Sequence, residues 1–104
     1  MSDGRRTLGD ESSGYTILVV DDNELNRDLL SRRLRRDGHA VVVAEDGHQA
    51  LDRVAKQPFD LVLLDIMMPG LTGYEVLEQL KGDPVHRHVP VIVISANGDQ
   101  ESVV

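Results

Sequence analysis

Four side chains in this sequence have the types and the placement to handle a phosphate or a hard metal ion: Asp21, Asp22, Asp65 and Ser95. Each stands where a short apolar run stops. Ile17-Leu18-Val19-Val20 ends on Asp21-Asp22, Leu61-Val62-Leu63-Leu64 ends on Asp65, and Val91-Ile92-Val93-Ile94 ends on Ser95. Carboxylates brought together repel one another, and a divalent cation relieves that repulsion. Mg²⁺ suits such a place because it takes oxygen ligands, uses one or two carboxylates and keeps several waters. The same ion can hold a phosphate oxygen and neutralise charge during in-line phosphoryl transfer. A carboxylate can itself be the nucleophile, giving an acyl phosphate, while a hydroxyl such as that of Ser95 donates to a phosphoryl oxygen. Taken one at a time, the same residues have plainer readings. Asp22 or Asn23 can cap a helix, Asp65 can be a solvated turn residue, and Ser95 can merely finish a strand.

Whether the four converge depends on the elements that carry them. A short run that is apolar at every position suits a strand covered on both faces. Segments apolar throughout or through their middle occur four times: at 17–20, at Ala40–Ala44, at 60–65 and at 89–95. Between them lie three segments with helical spacing. The first carries Leu25, Leu29, Leu30 and Leu34 among five arginines and stops at Asp37-Gly38. The second follows Asp46-x-x-Gln49, a capping-box pattern, and carries Ala50, Leu51, Val54 and Ala55 before Pro58. The third follows Thr72-x-x-Glu75, another such pattern, and carries Val76, Leu77 and Leu80. Asn97-Gly98-Asp99 reads as the approach to a fourth helix.

The alternation β-α-β-α-β-α-β predicts an α/β fold, an open doubly wound parallel sheet with helices on both faces. In such sheets sites form beyond the carboxyl ends of the strands, where the strand order reverses. With the order 2-1-3-4 the reversal lies between the first and third strands. Asp21, Asp22 and Asp65 then meet in one crevice.

The totals are ordinary for a soluble globular protein. The chain has 104 residues, enough for one domain, with 40% hydrophobic and 28% charged residues. Its formal net charge of −7 argues against nucleic acid or an anionic membrane as direct partner. There are no cysteines, which excludes disulfides and thiolate metal sites. No apolar run is long enough to span a bilayer, so a cytoplasmic location is expected. Residues 1–14 lack an apolar period and read as a disordered leader, which leaves 15–104 as the domain. The four histidines show no shared ligand spacing.

Three blocks taken together resemble a known family. Ile17-Leu18-Val19-Val20-Asp21-Asp22-Asn23, then Asp65-Ile66-Met67-Met68-Pro69-Gly70-Leu71-Thr72-Gly73, then Val91-Ile92-Val93-Ile94-Ser95-Ala96 are similar to the signature blocks of CheY-like response-regulator receiver domains. The resemblance covers roughly residues 15–104 and implies a flavodoxin-like fold. It implies Asp65 as the phosphoacceptor, Asp22 as a direct Mg²⁺ ligand, and Asp21 as a ligand acting mainly through coordinated water. It also implies that Met67 offers its backbone carbonyl to the metal and that Ser95 is the switch hydroxyl. The implied partner is a histidine kinase or histidine phosphotransfer protein, and the implied role is a phosphoacceptor rather than a turnover enzyme. A Mg²⁺-dependent phosphohydrolase fits less well, because that class places an Asp-x-Asp pair after one strand.

The resemblance also marks what the sequence does not match. Receiver domains have a fifth parallel strand ending in a lysine, then a last helix, and neither follows Ser95 here. Lys56 and Lys81 both fall on predicted helices, so neither stands at a strand end. The expectation is therefore a C-terminally incomplete receiver in which Val91–Ile94 forms an uncovered apolar edge, open to self-association. An interaction or assembly module without phosphotransfer is the alternative function.

Overall fold

A computed structural model of the chain describes residues 14–66, 68, 70–94 and 101–103. Eight elements follow in order: β1 (Thr16–Val20), α1 (Glu24–Arg36), β2 (Ala40–Ala44), α2 (Gly47–Lys56), β3 (Leu61–Asp65), α3 (Gly73–Gly82), β4 (Val91–Ile94) and β5 (Glu101–Val103). They build one sheet in the order β2-β1-β3-β4-β5. The first four strands are parallel in the expected order 2-1-3-4, and β5 runs antiparallel to β4.

The continuous apolar runs are explained by alternation across a sheet covered on both sides. Ile17, Val19 and Leu63 face α1, where Leu30 and Leu34 pack against them. Leu18, Val20, Val62, Leu64, Val91 and Val93 face the other way, into the larger core with Ala50 and Val54 of α2 and Val76 and Leu80 of α3. β2 differs from the sequence reading of a buried strand: Val41, Val42 and Val43 are half-buried and Ala40 is exposed. Among the described residues it is an edge strand with a neighbour on one side only. Its outward carbonyls are occupied by cations, since Arg35 Nη2 donates to Val41 O at 3.2 Å and Arg53 Nε to Val43 O at 3.3 Å.

Helix ends follow the sequence signals closely. Thr72 and Glu75 form a reciprocal capping box at α3. At α2 the box is half made. Asp46 Oδ1 accepts from Gln49 N at 2.8 Å, but the Gln49 side-chain Oε1 accepts from Glu45 N rather than from the cap. α1 closes at Asp37, followed by Gly38 with φ of 98°. On α1 the apolar stripe is narrower than its leucines suggested. Leu30 and Leu34 pack on the sheet, whereas Leu25 and Leu29 are 65% and 56% exposed. Leu29 and Leu30 are adjacent in sequence and point about 100° apart on the helix, so both rows cannot face one flat sheet.

Two expectations at the C-terminal side need correction or fall away. The Val91–Ile94 edge is not uncovered: β5 pairs with it through Ile92↔Val103, Val93↔Ser102 and Ile94↔Glu101. An apolar strand with unpaired backbone groups pairs with an available extended segment, here Glu101–Val103. The predicted helix start at Asn97-Gly98-Asp99 lies outside the described residues. After α3 the chain is fixed by its own polar groups. Asp83 Oδ1 accepts from Val85 N and Oδ2 lies 3.0 Å from His86 Nδ1, and these contacts, the Val85 bond foremost, hold the Asp83 carboxyl below its ordinary value of 3.8.

Leu64 is fully buried and sits one residue before Asp65. Leu64→Ala should destabilise the fold by about 2–5 kcal/mol. Urea denaturation would check it through a lower midpoint at an unchanged slope.

Candidate functional site

The parallel register places the acidic residues side by side. Val20 pairs with Leu64, so the next residue of each strand, Asp21 and Asp65, stands at neighbouring strand ends. One carboxylate oxygen from each of Asp21, Asp22 and Asp65 lies within 4.8 Å of the others. Asp21 and Asp65 are each 7% exposed, and Asp22 is exposed. Among the described residues this is the group of three acidic or histidine side chains able to share a metal ion.

Local bonds hold each carboxylate at its post. Asp21 N donates to Ala44 O at 3.1 Å, and its Oδ1 accepts from Asn23 N at 2.8 Å. The cap of α1 is Asn23, whose side chain accepts from Asn26 N at 3.0 Å. Of the two capping candidates, the amide takes the task, so the Asp22 carboxylate is not spent on the helix end. Arg27 Nη1 donates to the Asp21 carbonyl at 2.8 Å.

Asp65 is fixed from the other side. Ile66 N continues the ladder by donating to Ile94 O, and Ile66 O then accepts from both Met68 N and Gly73 N. Gly73 lies so close beneath this turn that a Cβ there would strike the Asp65 carbonyl and come within 2.7 Å of Ile66 Cα. Only glycine permits that approach. Gly70, with φ of 74°, makes the intervening bend. Met68 is buried at 5% exposure and packs into the core, as a loop-packing residue should.

Two predicted site residues, Ser95 and Met67, lie outside the described residues. Sequence reading did not find the Arg27 contact, because nothing in a six-residue spacing marks a guanidinium folding back onto a carbonyl. Nor did it choose between Asp22 and Asn23 as cap. Both lysines of the sequence are engaged away from the cluster. Lys56 pairs with Asp52 at 3.1 Å, and Lys81 Nζ donates to Arg87 O and Val89 O, on the approach to β4 rather than at its end.

The donor set fits a hard cation. Three oxygen donors converge, two of them largely withdrawn from water, and no sulfur or imidazole competes within the cluster. Such a group can chelate Mg²⁺ and present one carboxylate oxygen to an incoming electrophile.

Comparison with known proteins agrees with this geometry. The family model for the response regulator receiver domain matches residues 17–104. The response regulator PleD of Caulobacter vibrioides is 48% identical over 80 residues, covering 77% of this chain but 18% of PleD. This chain therefore spans under a fifth of that relative's length. The polar-differentiation response regulator DivK of Brucella anthropi is 36% identical over 91 residues, covering 85% of this chain and 74% of DivK. Among solved structures, the receiver domain of a sensor histidine kinase from Pseudomonas aeruginosa superposes with a TM-score of 0.77 at 34% identity. The match covers 84% of this chain and 71% of that one, and the structure carries a magnesium ion coordinated in its active-site cleft.

Mg²⁺ at ten times its Kd should stabilise the fold by about 1.4 kcal/mol, a rise in Tm of about 5–10 °C over the value in EDTA. Asp22→Asn should remove roughly half or more of that rise. Its Tm in EDTA should equal or exceed that of the parent, because one of three repelling charges is gone. Differential scanning calorimetry of the two proteins measures both effects.

Proposed function

The chain belongs to the response-regulator receiver family, and on that premise we propose that Asp65 accepts a phosphoryl group from a histidine kinase or a histidine phosphotransfer protein. Phosphoacceptance in two-component signalling is general to the family. The observation that carries the assignment is the convergence of Asp21, Asp22 and Asp65 within 4.8 Å at the ends of β1 and β3. Of the three, Asp65 is the one set on a strand end by a rigid turn, while the adjacent pair Asp21-Asp22 supplies charge for a cation.

In this reading a carboxylate oxygen of Asp65 attacks the phosphorus. A P–O bond forms to give the acyl phosphate as the P–N bond to the donor histidine breaks, and the donor imidazole keeps the electron pair. Asp21, Asp22 and Asp65, with the Met67 carbonyl, would hold Mg²⁺. When bound, that ion supplies positive charge to the carboxylates and to the transferring phosphoryl oxygens. Ser95 would donate its hydroxyl to a phosphoryl oxygen, and movement of its segment would report phosphorylation to a partner. The exposed Leu25 and Leu29 on α1, next to Arg32, Arg33 and Arg36, offer a partner protein both apolar surface and positive charge beside the site. The domain would act in the cytoplasm, consistent with the finding that no described helix is long and apolar enough to cross a membrane.

One observation supports a second reading, an interaction module that binds Mg²⁺ without phosphotransfer. Both lysines are committed elsewhere, so neither supplies an ammonium to the phosphoryl group.

Intact-mass measurement after incubation with acetyl phosphate and Mg²⁺ separates the readings. The expected outcome is one added phosphoryl group, labile to hydroxylamine and absent from Asp65→Ala. Magnesium binding without any added mass would establish the interaction module instead.

A further inference from the structure

We propose that Arg27 is a positioning residue for the metal site, acting through the main chain of Asp21. The proposal rests on the Mg²⁺-binding reading and concerns how the Asp21-Asp22 pair is held for it.

Arg27 is the fourth residue of α1, and its own N–H donates to Asn23 O at 3.0 Å, inside the helix. Its side chain turns back against the chain direction, so that Nη1 meets the Asp21 carbonyl at 2.8 Å in a half-buried position. The Asp21 carbonyl and the Asp22 N–H share one rigid peptide plane. Fixing that oxygen therefore sets the orientation of the plane from which Asp22 begins. The remaining bonds of the loop act elsewhere: Asp21 N is held by Ala44 O of β2, and Asn23 N is held by Asp21 Oδ1. Together the three anchors leave the Asp21-Asp22 turn little freedom. Arg27 is the anchor that ties it to the body of α1.

Charge and position make opposite demands on this residue, so the sign of the effect is informative. A guanidinium near a cation site opposes the cation, and removing it would tighten Mg²⁺ binding if charge alone mattered. Groups that orient metal ligands work the other way, and their loss commonly weakens metal affinity by about 10–100-fold. The guanidinium is hydrogen-bonded to a neutral carbonyl, which is the arrangement of an orienting group. A half-buried charge is also partly screened by solvent, which limits the opposing term.

The test is Mg²⁺ titration by calorimetry on the full chain, together with amide hydrogen exchange in the absence of metal. Arg27→Met keeps the apolar stem and removes both charge and donor. It should raise the Mg²⁺ Kd about tenfold and speed exchange at Asp22 and Asn23 in metal-free protein. Arg27→Lys, which keeps the charge and one donor, should return Kd to within about threefold of the parent. A merely structural role would lower Tm without moving Kd, and that result overturns the proposal. So does tighter Mg²⁺ binding by Arg27→Met, which would make Arg27 an electrostatic brake. Should Arg27→Met fail to fold, Arg27→Gln, with a neutral donor on a shorter stem, is read by the same criteria. If the parent itself binds no Mg²⁺, the metal reading fails. Exchange at Asp22 and Asn23 then still decides whether Arg27 holds the loop.

Discussion

Two like charges about 5 Å apart repel by about 3 kcal/mol at an effective dielectric of 20, and Asp21 and Asp65 face one another at such a distance while nearly buried. A domain is stable by only about 5–15 kcal/mol, so a repulsion of this size must be offset by the rest of the fold or by a ligand. The larger core achieves the first, since α2 and α3 bury Leu18, Val20, Val62 and Leu64 directly beneath the strand ends that carry the charges. A cation bound at the cluster would achieve the second.

The parallel topology brings these charges together. Parallel strands end on the same side, and the reversal of order between β1 and β3 removes any helix crossing above them. The connections then divide the work. Asn23 caps α1 and so frees Asp22, Gly73 lets α3 start directly against the Asp65 turn, and the Thr72-Glu75 box satisfies that helix end without any site residue. None of the three aspartates is spent as a helix cap, although aspartate is among the best capping residues. At α1 and α3 the N-caps are the neutral Asn23 and Thr72, and α2 uses Asp46, outside the cluster, so all three clustered carboxylates stay available to a cation.

Most of this was legible in the sequence because it is written in short-range pattern. Continuous apolar runs specified the doubly covered strands, and the sharp change from Val20 to Asp21 and from Leu64 to Asp65 located the strand ends. Thr72-x-x-Glu75 and Asp37-Gly38 marked helix boundaries that the structure places there. What was not legible depends on three-dimensional choice. The apolar spacing of α1 fits two leucine rows, and only the flatness of the sheet selects Leu30 and Leu34 over Leu25 and Leu29. The reach of Arg27 to the Asp21 carbonyl and the half-burial of β2 as an edge are likewise products of assembly.

The same limit hides the pairing of β4 from the sequence. Four consecutive apolar residues, Val91–Ile94, reveal a strand but not its neighbour, because pairing is made by backbone groups that every residue carries. The four parallel strands are flanked on their two sides by different means. At β2 the outward carbonyls of Val41 and Val43 accept from Arg35 and Arg53, long cationic side chains that satisfy the backbone and repel a second strand bearing its own positive charge. At β4 the edge is apolar, no cation is at hand in its own sequence, and a three-residue strand of the same chain takes the position instead. Self-association through Ile92–Ile94 would therefore have to displace an intramolecular partner whose effective concentration is set by a short connection. A second molecule, bringing no better hydrogen bonds than β5 already makes, competes at a disadvantage there. The arginines of α1 and α2 hold the opposite edge against the same event.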